Sequence, residues 1–418
     1  LFAQARRAID ADWLILTQGS ADLAGDFTVD GVRHVVLGRG RRWHNWSYDW
    51  RGFRAAGDVL ADWRPDLVHV HGSENYFGLL TARGLVRAPA LIALQGLLHS
   101  YVRTVWGPLD RAQARRIDLP LERLRGTGLL GLARQWRLGA RLEHEILRGN
   151  RWFAGRTAWD RATLHAINPA ANYRPLHELL RPEFARTRWT LAEARRHTIF
   201  FGNLAGPHKG GEVLVAALRI LRRSVPDVRL RIAGGLKPQG GYACHLLREI
   251  ARAGLTQNVE FLGYLDGAAM ARELARTHVF ASASFMDNSP NTVGEAMMVG
   301  VPCVCSYVGG LPSMADERRE ARFFPSGDPE ALAAAIAEIF ANDALALSLS
   351  AAARSRARVF HDPATAVTQL ANLYGEMLAP TASVANRATR METSSPGERE
   401  WMLPPGAASP KPGTLSAR

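Results

Sequence analysis

The sequence predicts two doubly wound α/β domains, and three observations carry that prediction. Short apolar runs of strand character recur along the chain, and stretches of helical period separate most of the later ones. These runs fall into two series. The length of 418 residues also exceeds what one ordinary core supports.

The first series is "WLILT" (13–17), "HVVLG" (34–38), "LVHVHG" (67–72), "ALIALQG" (90–96) and "WFAGRT" (152–157). The second is "TIFFG" (198–202), "VRLRIAG" (228–234), "VEFLGYL" (259–265), "VFASAS" (279–284) and "PCVCSY" (302–307), with helical patterns such as "EVLVAALRILRR" (212–223) between them. The polar segment 180–197 is a natural junction. The predicted domains are therefore 1–185 and 186–378, with the last helix free to return to the first domain. Residues 379–418, rich in Pro, Ser, Ala and Gly, read as a disordered tail. Ligands of open parallel sheets bind beyond the carboxyl ends of the strands, so the loops there are the ones to search.

Composition narrows the class. With 47% hydrophobic and 22% charged residues the chain is globular. No apolar run approaches the ~20 residues of a membrane-spanning helix. The first residue is Leu and no signal-peptide pattern follows, which leaves a missing start and a removed targeting segment both open. Cys244, Cys303 and Cys305 form no CxxC pair, which argues against a disulfide framework or zinc site and for a reducing compartment. The net charge of +13 is almost all arginine and points to an anionic partner: nucleotide, membrane surface or nucleic acid. No RRM, KH or zinc-finger pattern supports the last of these.

The stretch "MDNSPNTVGEAMMVGVPCVC" (286–305) places Asp287 and Glu295 eight positions apart, on either side of a turn that opens a helix. Pro290 suits the first helical turn, and Asn288 or Ser289 can cap it. The free backbone N–H groups at such a start favour anions. Glu295 can then accept from a vicinal diol such as a ribose, and Asp287 from another hydroxyl nearby. A capping Asp with a solvated helix Glu fits the same residues. A second stretch, "FFGNLAGPHKGGEVLVAAL" (200–218), runs strand, loop, Lys209 and amphipathic helix. Lys209 is one of only three lysines, with Lys237 and Lys411, and Gly210 and Gly211 beside it let backbone approach an anion. Neither a Walker loop nor GxGxxG is present.

These two stretches resemble the family-4 retaining glycosyltransferases of GT-B fold, whose signature is two acidic residues separated by seven and a Gly-Arg…Lys-Gly phosphate loop. "RPDLVHVHGSENYFGLL" (64–80), "APALIALQGLLHSY" (88–101), "FAGRTAWDRATLHAINPAANY" (153–173) and "LAAAIAEIFANDALALSLSAAARSRA" (332–357) extend the similarity to residues 64–378 and to bacterial members associated with surface polysaccharide. The resemblance implies that Glu295 holds the donor ribose, Asp287 contacts the transferred sugar and Lys209 neutralises the diphosphate. It further implies that Gly210 and residues Asn288, Ser289, Pro290, Asn291 and Thr292 line the phosphate and sugar site, and that Tyr264 and Leu265 hold the base through backbone. Gln95 falls where many relatives have a histidine. The implied donor is a UDP- or GDP-sugar, used without metal or cofactor, and the implied outcome is retention of configuration. Three positions depart from the pattern: Asn203 replaces the usual arginine of the phosphate loop, Asp287 the usual glutamate, and Gln95 cannot titrate.

Weaker signals complete the reading. Glu74, His99, Tyr101 and Arg156 lie after first-domain strands and are acceptor-side candidates; Arg156 equally fits a phosphate or a domain bridge. The segment 103–161 holds 13 arginines against 6 acids. In it Arg134, Arg137, Arg141 and Arg148 share a helical face suited to an anionic bilayer, and a cytoplasmic protein peripheral on the inner membrane face is expected. The leading expectation is hexosyl transfer to a polysaccharide or lipid-linked glycan. A degenerate binding or scaffold protein, and an epimerase or phosphorylase on the same fold, are the alternatives.

Overall fold

The structure is a computed structural model that describes residues 2–39, 49–202, 204–234 and 240–379. Asn203 and the predicted tail beyond Ala379 lie outside the described residues. Every strand expected from the sequence is present. The N-terminal lobe has a 3-stranded sheet of order β1-β3-β2, built from β1 (Leu14–Ser20), β2 (Gly25–Val29) and β3 (Val32–Arg39). It also has a 4-stranded parallel sheet of β4 (Val68–His71), β5 (Ala90–Ala93), β6 (Trp152–Gly155) and β7 (Asn172–Pro175).

The C-terminal lobe is one 6-stranded parallel sheet: β8 (Arg195–Phe201), β9 (Arg229–Ala233), β10 (Val259–Gly263), β11 (Thr277–Ser282), β12 (Cys303–Ser306) and β13 (Ala321–Phe324). Its order is β10-β9-β8-β11-β12-β13. Helices on both faces bury the apolar strands, as parallel sheets require. Phe200, Leu230, Phe280 and Val304 from the strands meet Leu214, Leu218 and Ile336 from the helices in one core. Cys303 and Cys305 belong to that core, and burial pushes the Cys305 thiol up to about 12.

The first lobe has its own core around Leu79, Ile92, Ile146 and Phe153. The final helix, Pro363–Leu378, packs on this lobe in a separate cluster, where Leu370, Leu373 and Met377 join Leu91, Ala154 and Leu176. Tyr374 lies 2.7 Å from His69 Nδ1, and Arg174 pairs with Glu376 at 2.8 Å. Among the described residues the chain thus crosses between the lobes twice.

Candidate active site

β8 and β11 lie side by side at the centre of the six-stranded sheet, with Phe200 opposite Phe280. From β8 the winding runs outward through β9 to β10, and from β11 it runs the other way through β12 to β13. The loops leaving the carboxyl ends of β8 and β11 therefore part at the reversal of winding, where an open parallel sheet leaves a crevice. Lys209 follows β8 and Asp287 follows β11.

The two loops touch. Gly210 has φ +78°, and a Cβ there would lie 2.0 Å from the Ala283 carbonyl oxygen, so only glycine fits between the loops. Lys209 Nζ donates to Asp287 Oδ2 at 2.8 Å and Oδ1 at 3.0 Å. The helix Asn291–Val299 begins beside them with Pro290 as its N-cap. That start is one residue later than the sequence predicts, and neither Asn288 nor Ser289 caps it with a side chain. The Asn288 side chain is engaged by the first lobe instead.

Lys209, Asp287 and residues 289–292 line one wall of a cavity of about 400 Å³. Glu74, Gln95, Tyr101, Trp136 and Arg156 of the first lobe line the other. Glu74 Oε1 accepts from Gly96 N at 2.9 Å, and burial holds its carboxyl above the ordinary range. The Tyr101 hydroxyl crosses between the lobes, donating to Asp287 Oδ1 at 3.3 Å and accepting from Asn288 N at 3.2 Å. Its ring meets Trp136 edge-on at 6.1 Å, and Trp136 in turn meets His208 at 5.0 Å. Burial lowers His208 to about 4, helped by the neighbouring Lys209 charge, so this imidazole is neutral at pH 7.

Other predicted site residues are placed elsewhere. The Asn288 side chain is 1% exposed and is taken up by the first lobe. It accepts from Thr157 Oγ1 at 2.6 Å and donates to Asp160 Oδ2 at 2.9 Å and the Gln95 carbonyl at 3.1 Å. Glu295 is 6% exposed and is not among the residues that line this cavity; Arg181 Nη2 donates to it at 3.0 Å, and burial raises its carboxyl while Arg181 opposes the rise. Tyr264, 85% exposed, and Leu265 also lie outside the wall. His99 is turned away from the cavity because Glu143, wholly buried, accepts from both its main-chain N and its ring, each at 3.0 Å. Trp136, on the helix whose arginines were expected to face a bilayer, lines the cavity. Among the described residues, no group of three or more His, Cys, Asp or Glu is placed to hold a metal ion.

Residues 195–342 match the family of glycosyl transferases group 1. A D-inositol 3-phosphate glycosyltransferase of Segniliparus rotundus is 27% identical over 334 residues, covering 77% of this chain and 70% of that one. Of several further curated relatives it matches, the chain spans less than half the length. Sucrose-phosphate synthase from Thermosynechococcus elongatus superposes with a TM-score of 0.70 at 20% identity, over 90% of this chain and 91% of that one. Anabaena HepE, in complex with UDP and glucose, gives 0.62 at 16% identity over 82% and 86%. At these identities the two structures speak for the fold. Taken with a lysine and an acidic turn converging at the switch point of the second lobe, these matches show a GT-B fold whose residues 195–342 are similar to group 1 glycosyl transferases, and they support an enzyme of the hexosyltransferase class.

Proposed function

We propose that this enzyme moves a hexosyl group from a nucleotide-diphosphate sugar, UDP- or GDP-linked, to a hydroxyl of a growing polysaccharide or lipid-linked glycan, with retention of configuration. The observation that supports it most is the convergence of Lys209 and the Asp287 turn, 2.8 Å apart, on one cavity between the lobes. In this reading Lys209 and the N–H groups opening helix Asn291–Val299 face the diphosphate. As the bond from C1 to the diphosphate breaks, negative charge grows on the leaving group while the acceptor oxygen bonds C1 from the same face and gives its proton to the departing diphosphate oxygen. Fixed donors at that point are worth several kcal/mol, and no metal is needed to supply them. Asp287 takes a sugar hydroxyl and Glu295 the ribose; Glu74 and Gln95 face the acceptor.

The acceptor reading extends to a surface. Leu121 and Leu124 of helix Pro120–Arg125 are 51% and 69% exposed, among Arg111, Arg115, Arg116, Arg123 and Arg125. The acids of this stretch are spent on backbone: Asp118 accepts from Leu129 N and Leu130 N, and Glu122 from Leu119 N and Gly241 N. Exposed arginines around bare leucines suit an anionic bilayer. This face replaces the one expected on helix Leu129–Gly149, where Ile146 is buried and Trp136 faces the cavity. The proposed setting is cytoplasmic and peripheral. Among the described residues, no single helix is long and apolar enough to cross a membrane.

The test is release of nucleoside diphosphate from UDP- and GDP-sugars in the presence of glycan and lipid-linked acceptors. Lys209→Ala and Glu295→Ala are expected to lower turnover at least ~100-fold. Wild-type rates in both reject the site. Binding without turnover on an intact chain favours a scaffold, and an altered free sugar nucleotide favours an epimerase.

A further inference from the structure

We propose that Arg156, a residue of the first lobe, is the second cation on the donor's diphosphate, closing with Lys209 a clamp that spans the two lobes. This rests on the reading that the cavity takes a nucleotide-diphosphate sugar, and it moves Arg156 from the acceptor side to the donor.

Position comes first. Arg156 leaves the carboxyl end of β6, its side chain is 9% exposed, and it lines the same cavity as Lys209 and residues 289–292. Its place relative to the acidic turn is set by one atom. Oδ2 of Asp160, a fully buried carboxylate, accepts from Arg156 N at 2.8 Å and from Asn288 Nδ2 at 2.9 Å. Arg156 and the residue after Asp287 are thus neighbours across a single oxygen. The other oxygen of Asp160 accepts from Tyr173 at 2.7 Å, which keeps the carboxylate from turning.

Donor capacity comes next. The guanidinium has five N–H donors in a planar fork. Among the described residues it donates only to half-buried Glu178, through Nη2. None of its nitrogens is buried without a partner, so the unused donors border open space.

Charge supplies the need. A donor diphosphate carries about two negative charges and gains another as the bond to C1 breaks. The described cavity wall offers two permanent cations, Lys209 and Arg156. Lys209 is already shared with Asp287, His208 is neutral, and residue 203 in the loop after β8 is asparagine. A guanidinium fork also matches phosphate oxygens in a way an ammonium does not.

The experiment titrates UDP, UMP, GDP and GMP by calorimetry against the full chain and its Arg156→Ala and Arg156→Lys variants, with melting curves for each. The expected result is at least a tenfold weaker nucleoside diphosphate in Arg156→Ala, a change under twofold for the monophosphate, and partial recovery in Arg156→Lys. Unchanged diphosphate affinity with a raised acceptor KM returns Arg156 to the acceptor and overturns the proposal alone. Equal weakening of mono- and diphosphate marks a structural role and overturns it too. No binding of UDP or GDP by the wild type overturns both this and the reading beneath it.

Discussion

Asn288 tests whether the acidic turn serves the donor or the lobes. Alanine there removes three hydrogen bonds, from Thr157 at 2.6 Å, to Asp160 at 2.9 Å and to the Gln95 carbonyl at 3.1 Å. The partners come from the first lobe and Asn288 from the second, so the loss falls on the contact between two cores. Two neutral bonds are worth about 1 kcal/mol each and the carboxylate bond about 2, giving a loss of about 4 kcal/mol, or about 2 where water replaces the amide. Urea unfolding followed by two probes, one sensitive to each lobe, reads this out. Asn288→Ala should lower the midpoint and separate the two transitions, since lobes that no longer hold each other need not unfold together. Nucleoside diphosphate affinity should fall by less than the tenfold expected of Arg156→Ala once folded protein is counted, because the Asp160 oxygen keeps its bond to Arg156 N. A variant as stable as wild type to within about 0.5 kcal/mol, with diphosphate binding ten times weaker, would refute this reasoning and return Asn288 to the donor site.

Two further predictions concern acid and membranes. Burial lowers His208, His177 and His278 to about 4 and His69 to about 3, against an ordinary 6.5. Between these values the unfolded chain binds the extra protons, so stability is full above pH 6.5 and is lost as pH falls toward 4, by on the order of 3 kcal/mol for His208 alone. Urea midpoints that stay flat from pH 7.5 to 4.5 contradict this. Leu121→Glu with Leu124→Glu should abolish cosedimentation with phosphatidylglycerol vesicles while leaving the melting temperature nearly unchanged, because both side chains are exposed. Retained sedimentation removes the membrane face.

The strands were legible because buried parallel strands are apolar on both faces and end abruptly at Gly or polar residues. The three that escaped lack that mark. β2 is exposed at every residue, and its signal is the turn instead: Asp30 and Gly31 both have positive φ, as a tight hairpin demands. β7 is half exposed and ends in Pro175, and β13 (Ala321–Phe324) is interrupted by Arg322 and buried only at its two ends. In the site, Lys209 and the turn after β11 stood out because their chemistry is local: a rare lysine, a glycine that must be glycine, a helix start. The residues that hold them did not, since Tyr101 reaches Asp287 across 186 positions and Arg181 reaches Glu295 across 114. Periodicity even misleads for Glu143, a charge in an arginine-rich helix that lies wholly buried because it caps the backbone at Leu98 and His99.

The ion pair at the centre of the site makes a last prediction about how the donor is recognised. Lys209 and Asp287 are 15% and 8% exposed, so each charge depends on the other. A diphosphate that draws Lys209 away leaves a carboxylate largely out of water, with the Tyr101 hydroxyl at 3.3 Å as its remaining donor among the described residues. An uncompensated buried charge costs roughly 3–5 kcal/mol, less where water reaches it. A nucleotide sugar removes that penalty, because a sugar hydroxyl can replace the ammonium at Asp287 while the diphosphate replaces Asp287 at Lys209. The nucleotide sugar should therefore bind more tightly than the bare nucleoside diphosphate. Asp287→Asn should narrow that gap by strengthening the diphosphate, since Lys209 is then released before the ligand arrives. Calorimetry on both proteins with UDP, GDP and their glucose and mannose esters measures the two ratios. If Asp287→Asn weakens the bare diphosphate instead, Lys209 depends on Asp287 for its position rather than being held back by it, and the exchange does not occur.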